Sequence, residues 1–372
     1  MSEPTRPAIS DARDAQITEF LTNAGWAGAT RRHLSGDASN RRYERVAHPE
    51  CGRAVLMDAP ADPAETPLEG AGRSYADIAH LAQDCRAFVA VARHLGGLGL
   101  SAPQIYAWDL KAGLLLLEDF GDGLYGHLLE AGSADQAEAY YGEAVDVLAR
   151  VHAQAPPEVL SLPDGSGYAL SRYDRDAQHI EVSLLIDWYA PALLDRQIDA
   201  GPRAEFVEIW DDLLAEPEAA PPQLVLRDVH SPNLMWLADR EGANRVGLLD
   251  FQDALIGCGA YDLVSLLQDA RRDVPADLEA RLFKRYCTAA GPLDEKTLRT
   301  QYAILGAQRA SKIIGIFARL KQRDNKPGYL RHLPRVWRYL ERNLAHPRLH
   351  RYQQWVDMHF PPETRNPPHA PE

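Results

Sequence analysis

Apolar residues recur along this chain with two periods, and the change between them divides it. Residues 11–25 carry Ile17, Phe20 and Leu21 on one helical face with Gly25 as a stop, so the spacing predicts an amphipathic helix. From His33 to Pro60 the pattern shortens to alternation: a strand, a small-residue turn over 35–40, a second strand through Tyr43 and Val46, a turn at 48–52 and a third strand at 54–57. Residues 60–72, rich in Pro, Gly and Ala, read as a loop, and a helix is expected over 78–95. Two strands then flank the turn Lys111, Ala112 and Gly113, and the second runs straight into Glu118 and Asp119.

Beyond that point helical spacing dominates. Helices are expected over 133–154, 174–199, 203–216, 262–272, 276–290, 295–320 and 332–345. The only later strands expected are 224–226, 234–237 and 245–249, the last two joined by a polar turn into a hairpin. The Pro-rich tail after Pro361 is expected to fray. The pattern predicts an α+β chain with a small sheet-bearing lobe over 1–118 and a larger helical lobe over 119–372.

Composition removes some functions. A formal net charge of -13 argues against nucleic acid, whose binding needs clustered Lys and Arg, and mildly suits a cationic substrate. Cys51, Cys85, Cys258 and Cys287 are far apart, so neither a zinc site nor a disulfide framework is expected. No run of about 18 apolar residues occurs and the first twenty carry no secretory core. No membrane or protein partner is implied, and the cytoplasm is the expected location.

The chemistry gathers around the hairpin. "LRDVHSPNLMWL" (226–237) breaks from an apolar run into Arg227, Asp228, His230 and Asn233, and Asp250 follows the second hairpin strand in "LLDFQDA". Antiparallel strands return the chain to where it began, so Asp228, Asn233 and Asp250 are expected at one end of the ribbon. Two carboxylates and an amide oxygen make a hard-oxygen set suited to Mg²⁺. The spacing from Asp228 to Asn233 equals the Asp-to-Asn spacing of the protein-kinase catalytic loop, and Asp250-Phe251 stands where kinases carry Asp-Phe-Gly. Read singly, each residue is equally a turn former or a strand end.

With "RDVHSPNLMW", "GLLDFQDALIGCGAYDLVSLL" and "LLLLEDFGD" the chain resembles the aminoglycoside-phosphotransferase-like superfamily, kinase-fold enzymes acting on small molecules. Through "SGDASNRRY", "VLMDAP", "FQDA" and the late helix starting "QRASKIIGIFARLK" it looks most like the bacterial cell-wall amino-sugar kinases, which phosphorylate the anomeric hydroxyl of N-acetylmuramate and N-acetylglucosamine. The resemblance implies a protein-kinase-like two-lobed fold, ATP and Mg²⁺. It implies Asp228 as the catalytic residue that holds the acceptor hydroxyl, and Asn233 and Asp250 as metal ligands. Asp262 reads as a helix cap, and the resemblance has it also brace the catalytic loop.

The nucleotide is expected against the turn bearing Ser35, Gly36, Ala38 and Ser39, and along Glu118 and Phe120, whose backbone can pair with adenine. Kinases place a lysine on the third strand, where Met57 stands here; Arg41, Arg42 or Arg53 can supply the missing charge, and Arg42 is the candidate. For the sugar, Asp187 and Trp188 offer an acid and an aromatic face, His230 a contact near Asp228, and Arg309 and Lys312 a cation for the lactyl carboxylate of N-acetylmuramate. Core packing for Trp188, bonding within the loop for His230 and a solvated helix face for Gln308, Arg309 and Lys312 are the plainer readings. Other acceptors of the same fold (an aminoglycoside, choline or homoserine) and a non-catalytic nucleotide-binding scaffold, suggested by Met57, are the rivals.

Overall fold

The computed structural model of the chain describes residues 10–34, 41–61, 67–68 and 72–365. The expected phosphate turn with Ser35, Gly36, Ala38 and Ser39 lies outside the described residues. Five antiparallel strands, β1 Thr30–Leu34, β2 Arg42–His48, β3 Gly52–Asp58, β4 Ile105–Asp109 and β5 Leu114–Glu118, order as β1-β2-β3-β5-β4. Alternation gives the sheet two apolar faces. One, with Val46, Ala54, Leu56, Leu114 and Leu116, is covered by Ile17 and Leu21 of helix α1, Asp11–Asn23. The other, with Met57, Leu115 and Leu117, merges into the main core shared with the helical lobe.

The helix expected over 78–95 is in fact two, α2 Tyr75–Ile78 and α3 Cys85–Gly97. Between them His80 turns left-handed (φ 53°), the Ala82 N–H is donated to Asp253 at 2.6 Å, and Asp84 caps α3 through the Arg86 N–H at 2.8 Å. These local hydrogen bonds compete with helix propagation where the apolar spacing alone runs on.

The second lobe contains α4 Tyr125–Ala131, α5 Ala134–His152, α6 Arg175–Leu184, α7 Ala190–Leu194, α8 Ala200–Glu218, α9 Ala260–Leu267, α10 Ala276–Ala289, α11 Glu295–Gln322, α12 Leu333–Leu344 and α13 His350–His359. Its strands form three two-stranded ribbons: β6 Val159–Ser161 with β7 Gly167–Ala169, β8 Gln223–Val225 with β11 Leu255–Gly257, and β9 Leu234–Trp236 with β10 Val246–Leu248. Three residues carry no measurable period, so β8, β9 and β10 are legible only as apolar runs around the polar stretch 227–233 and the turn after Leu237, and the equally short β6, β7 and β11 escape the sequence reading. The run 174–199 is also split: a π turn, Leu185–Tyr189, joins α6 to α7, which stops at Asp195 (φ 51°).

That π turn sits where α11 crosses α6. Gly315 lies against the Leu184 backbone so closely that a Cβ would collide with it. The close crossing seats Lys312 and Gln308, one and two turns back along α11, against Glu181 of α6. A second core, with Trp210, Trp337, Trp355 and Phe360, packs α6–α8 against α11–α13. The chain just past Pro361 is docked and not frayed: Arg365 is buried and bonds Glu341 at 2.8 Å and Asp357 at 2.5 Å.

Candidate active site

β9 and β10 pair Leu234 with Leu248, and the Leu249 N–H extends the ladder to the Asn233 carbonyl at 3.0 Å. The ribbon therefore ends with Asn233 and Asp250 side by side, Nδ2 to Oδ2 at 3.4 Å. The same Nδ2 donates to the Asp228 carbonyl at 2.9 Å and lies 3.3 Å from His230 Nε2. Three acceptors around the amide nitrogen leave Oδ1 as the oxygen Asn233 can offer. The three residues expected together are together.

The loop is held from below. Asp262, fully buried in the first turn of α9, accepts the Leu226 N–H at 2.7 Å and the Arg227 N–H at 2.8 Å. It is a brace and not a cap; the α9 cap position is Gly259. Buried His152 supports it, Nε2 to Asp262 at 3.3 Å and Nδ1 to the Tyr286 hydroxyl at 2.8 Å. Farther along, Asp269 accepts the Ser231 N–H and hydroxyl at 3.0 and 2.6 Å. Two non-glycine residues take left-handed backbone here, Arg227 (φ 70°) and Asp250 (φ 55°). Each costs about 1–2 kcal/mol, a strain that persists only where surroundings over-determine it. The Asp262 grip and the buried Arg227 side chain do so at the first.

Arg227 points away from the cleft. Its guanidinium donates to the Ala79 carbonyl at 2.9 Å and pairs with Glu181. Glu181 also takes Lys312 at 2.7 Å, Gln308 at 3.2 Å and the Tyr173 hydroxyl. Burial opposes its ionisation, but the Lys312 and Arg227 charges outweigh burial and bring the carboxyl down to about 2. Gln308 and Arg309 are thus buried and Lys312 is half-buried and paired, so the stripe is not a solvated face.

Asp228 accepts no side-chain hydrogen bond among the described residues; its nearest cation is Arg309, 3.6 Å from Oδ1. Burial raises its pKa, yet Lys312, Arg309, His230 and Arg227 together hold it below the usual carboxylate range. Asp250 moves the other way: burial and the Asp228 charge raise it, against Arg41 and Gln252. His230 is pushed down by burial and sits between Asn233 of its own loop, Nε2 3.3 Å from Nδ2, and Asp269 beyond α9, 4.0 Å from Nδ1.

The amino-terminal lobe sends one cation to this end of the ribbon. Arg41, Tyr43 and Arg45 share the cleft face of β2 by alternation; Arg41 Nη1 reaches Asp250 Oδ1 at 3.2 Å, and Arg45 is held by Asp119 and Asp122 at 2.8 and 2.9 Å. The candidate Arg42 faces the α1 side, where it pairs with Glu44 at 3.0 Å. Met57 is fully buried on the cleft-side core. At the junction the Glu118 N–H is taken by the Gln104 carbonyl at 2.8 Å, and its side chain by Arg240. The Phe120 ring packs on Gly247, where a Cβ would approach it to 2.8 Å.

Asp187 and Trp188 are not brought to the loop by any hydrogen bond or ion pair among the described residues. Asp187 pairs with Arg203 at 2.6 Å, and Trp188 packs on the second core. Sequence reading did not single out Asp269, Glu181 or His152; for His152 and Glu181 the signal available was an ionisable residue at a core-facing helix position, and Asp269, past the end of α9, carried none.

For Mg²⁺ the residues fit. Asp228 and Asp250 lie close enough to raise the Asp250 pKa, Asn233 offers an amide oxygen beside them, and Arg41 meets the excess negative charge from above. Among the described residues no three His, Cys, Asp or Glu side chains form a closed cage. One or two protein oxygens with positions left for substrate phosphates is the manner in which Mg²⁺ is ordinarily held.

The family model described as "Phosphotransferase enzyme family" matches residues 30–299. A Caulobacter vibrioides protein named N-acetylmuramate/N-acetylglucosamine kinase is 42% identical over 365 residues, 96% of this chain and 99% of that protein. A Pseudomonas aeruginosa protein of the same name is 34% identical over 342 residues, 89% of this chain and 90% of its own length. Among solved structures, a choline/ethanolamine kinase family protein from Mesorhizobium loti shares the fold with a TM-score of 0.57 at 15% identity, covering 94% of this chain and 98% of that one. An ADP-bound aminoglycoside phosphotransferase does so with a TM-score of 0.53 at 13% identity, covering 90% and 97%.

Proposed function

The chain belongs to the phosphotransferase enzyme family, and from that premise we propose that it transfers a phosphoryl group from ATP to the anomeric (C1) hydroxyl of N-acetylmuramate and N-acetylglucosamine. The observation that carries this reading is the meeting of Asp228, Asn233 and Asp250 at one ribbon end, with an arginine from each lobe beside it. The names of the relatives at 42% and 34% identity support the choice of acceptor.

Asp228 stays ionised, with both carboxylate oxygens free of side-chain hydrogen bonds among the described residues. It accepts the hydrogen of the acceptor hydroxyl, aims that oxygen at the phosphoryl group and takes the proton late, once the transition state has made it acidic. A carboxylate is a weak base for an alcohol, so orientation is its larger contribution; an anomeric hydroxyl is somewhat more acidic and suits it. Asn233 and Asp250 would hold Mg²⁺, which would supply neutralisation of the charge on the nucleotide phosphates. Arg41 lies within reach of those phosphates. Backbone groups of the Glu118–Phe120 junction other than the Glu118 N–H, which Gln104 takes, would face the adenine, and the sugar would lie over Asp228 on the α11 side, with Arg309 next to it. A cationic acceptor such as an aminoglycoside would meet the Arg309 guanidinium there, which favours an amino sugar that is neutral or acidic.

A cytoplasmic enzyme of peptidoglycan recycling, with lobes over 1–118 and 119–372 closing on the nucleotide, completes the proposal. No helix among the described residues is long and apolar enough to cross a membrane. Initial rates with ATP and Mg²⁺ across both amino sugars, kanamycin, choline and homoserine test it. Turnover of the two sugars is expected; turnover of kanamycin or choline with neither sugar used would overturn it.

A further inference from the structure

Arg309 is 5% exposed. Among the described residues it makes no hydrogen bond, and its Nε is buried without a partner. Its contacts are an ion pair with Asp228 at 3.6 Å, beyond hydrogen-bond range, and the Tyr261 ring 6.0 Å from its carbon centre. A buried guanidinium is tolerated when paired and hydrogen-bonded, and its five donors form a fork made for a planar oxyanion.

The other cations around Asp228 are already engaged. Lys312 donates to Glu181 at 2.7 Å, and Arg227 to Glu181 and the Ala79 carbonyl. His230 lies between Asn233 of its own loop and Asp269. Arg309 is the cation beside Asp228 with its donors unfilled. At 3.6 Å the nearer Asp228 oxygen leaves those donors unfilled. The phosphates are met from the other lobe, where Arg41 stands at Asp250. Arg309 projects from α11, on the side left for the acceptor.

We infer that Arg309 binds a carboxylate carried by the acceptor, and so is the residue that distinguishes an acidic amino sugar from a neutral one. The inference rests on the amino-sugar reading above. It separates Arg309 from Lys312, which completes the Glu181 cluster and positions α11 without touching substrate.

The test compares wild type, Arg309→Gln and Arg309→Lys on N-acetylmuramate, its methyl ester and N-acetylglucosamine. Binding of the acid and ester is also measured calorimetrically without nucleotide. A charge-assisted bidentate contact corresponds to about tenfold to hundredfold in affinity. Wild type is expected to favour acid over ester by that factor, mainly in KM. Arg309→Gln is expected to lose the preference in both turnover and binding, and Arg309→Lys to keep part of it. An acid preference that survives in Arg309→Gln, or is missing from wild type, overturns the inference. So does an equal loss on all three sugars, which would assign Arg309 to the transferred phosphoryl group or to Asp228. A wild-type enzyme that phosphorylates neither sugar defeats the parent reading instead.

Discussion

Arg41 and Asp250 meet across the cleft at 3.2 Å, joining the first residue before β2 to the residue just past the β9–β10 ribbon. The cation that kinases carry on the third strand is here replaced by apolar Met57, and alternation puts Arg41, not Arg42, on the face that looks into the cleft. Arg41→Gln is expected to weaken ADP–Mg²⁺ binding by about tenfold, one partly exposed charge-assisted contact. Arg42→Gln is expected to leave that affinity near wild type and to act on stability through Glu44. Calorimetric titration of both variants decides; an Arg42 effect on nucleotide as large as that of Arg41 would count against the assignment.

Asp228→Asn removes the proton acceptor while keeping the shape. Turnover is expected to fall by about 10²–10⁴-fold with ADP affinity little changed. The Asp228 pKa is held down by Lys312 and Arg309 against burial, so the base form persists to acid pH, and its limb in kcat/KM is expected below the ordinary carboxylate range. His230, already neutral at pH 7 because burial lowers its pKa, is expected to add no inflection near its usual value. A pH–rate profile with an acid limb near 6.5 would contradict both statements.

Asp262 holds two buried backbone N–H groups with one carboxylate. Asp262→Ala orphans both and is expected to cost about 3 kcal/mol or more in unfolding free energy. Asp262→Asn keeps one oxygen acceptor and should cost less. Urea unfolding measures the difference, and a loss under about 0.5 kcal/mol in the alanine variant would show that the loop does not need this brace.

Glu181 carries a pH signature of its own. Its folded pKa of about 2 lies below the ordinary glutamate value of about 4.3, so its stabilisation is complete above the ordinary value and lost as pH falls toward the folded one. Wild-type stability should therefore decline between about pH 4 and pH 2 more steeply than that of Glu181→Gln. At neutral pH the variant, with Lys312 and Arg227 left buried without their carboxylate, is expected to be less stable by about 3–5 kcal/mol. Parallel stability curves for the two proteins across the acid range would refute this.

The parts of this fold that were legible in the sequence are those with a period or a fixed spacing. The β1–β3 meander, the Lys111–Gly113 hairpin, the long α11 and the convergence of Asp228, Asn233 and Asp250 all follow from alternation, helical spacing or a hairpin return. Three-residue strands such as β11 carry no period, and the break at His80 depends on Asp253, 171 residues from Ala82. Burial of Arg309 and Lys312 was equally hidden, because a polar stripe on a helix looks solvated until its partner Glu181 is placed. That Arg41 rather than Arg42 looks into the cleft depends on which face of β2 is buried against which core, and the sequence alone leaves that open.

The most direct test of the central claim is phosphorus NMR of the product formed from ATP, Mg²⁺ and each amino sugar. The expected result is a sugar phosphate whose phosphorus couples to the anomeric proton, made by wild type and not by Asp228→Asn. A phosphate on any other hydroxyl, or an anomeric product made equally well by Asp228→Asn, would contradict it.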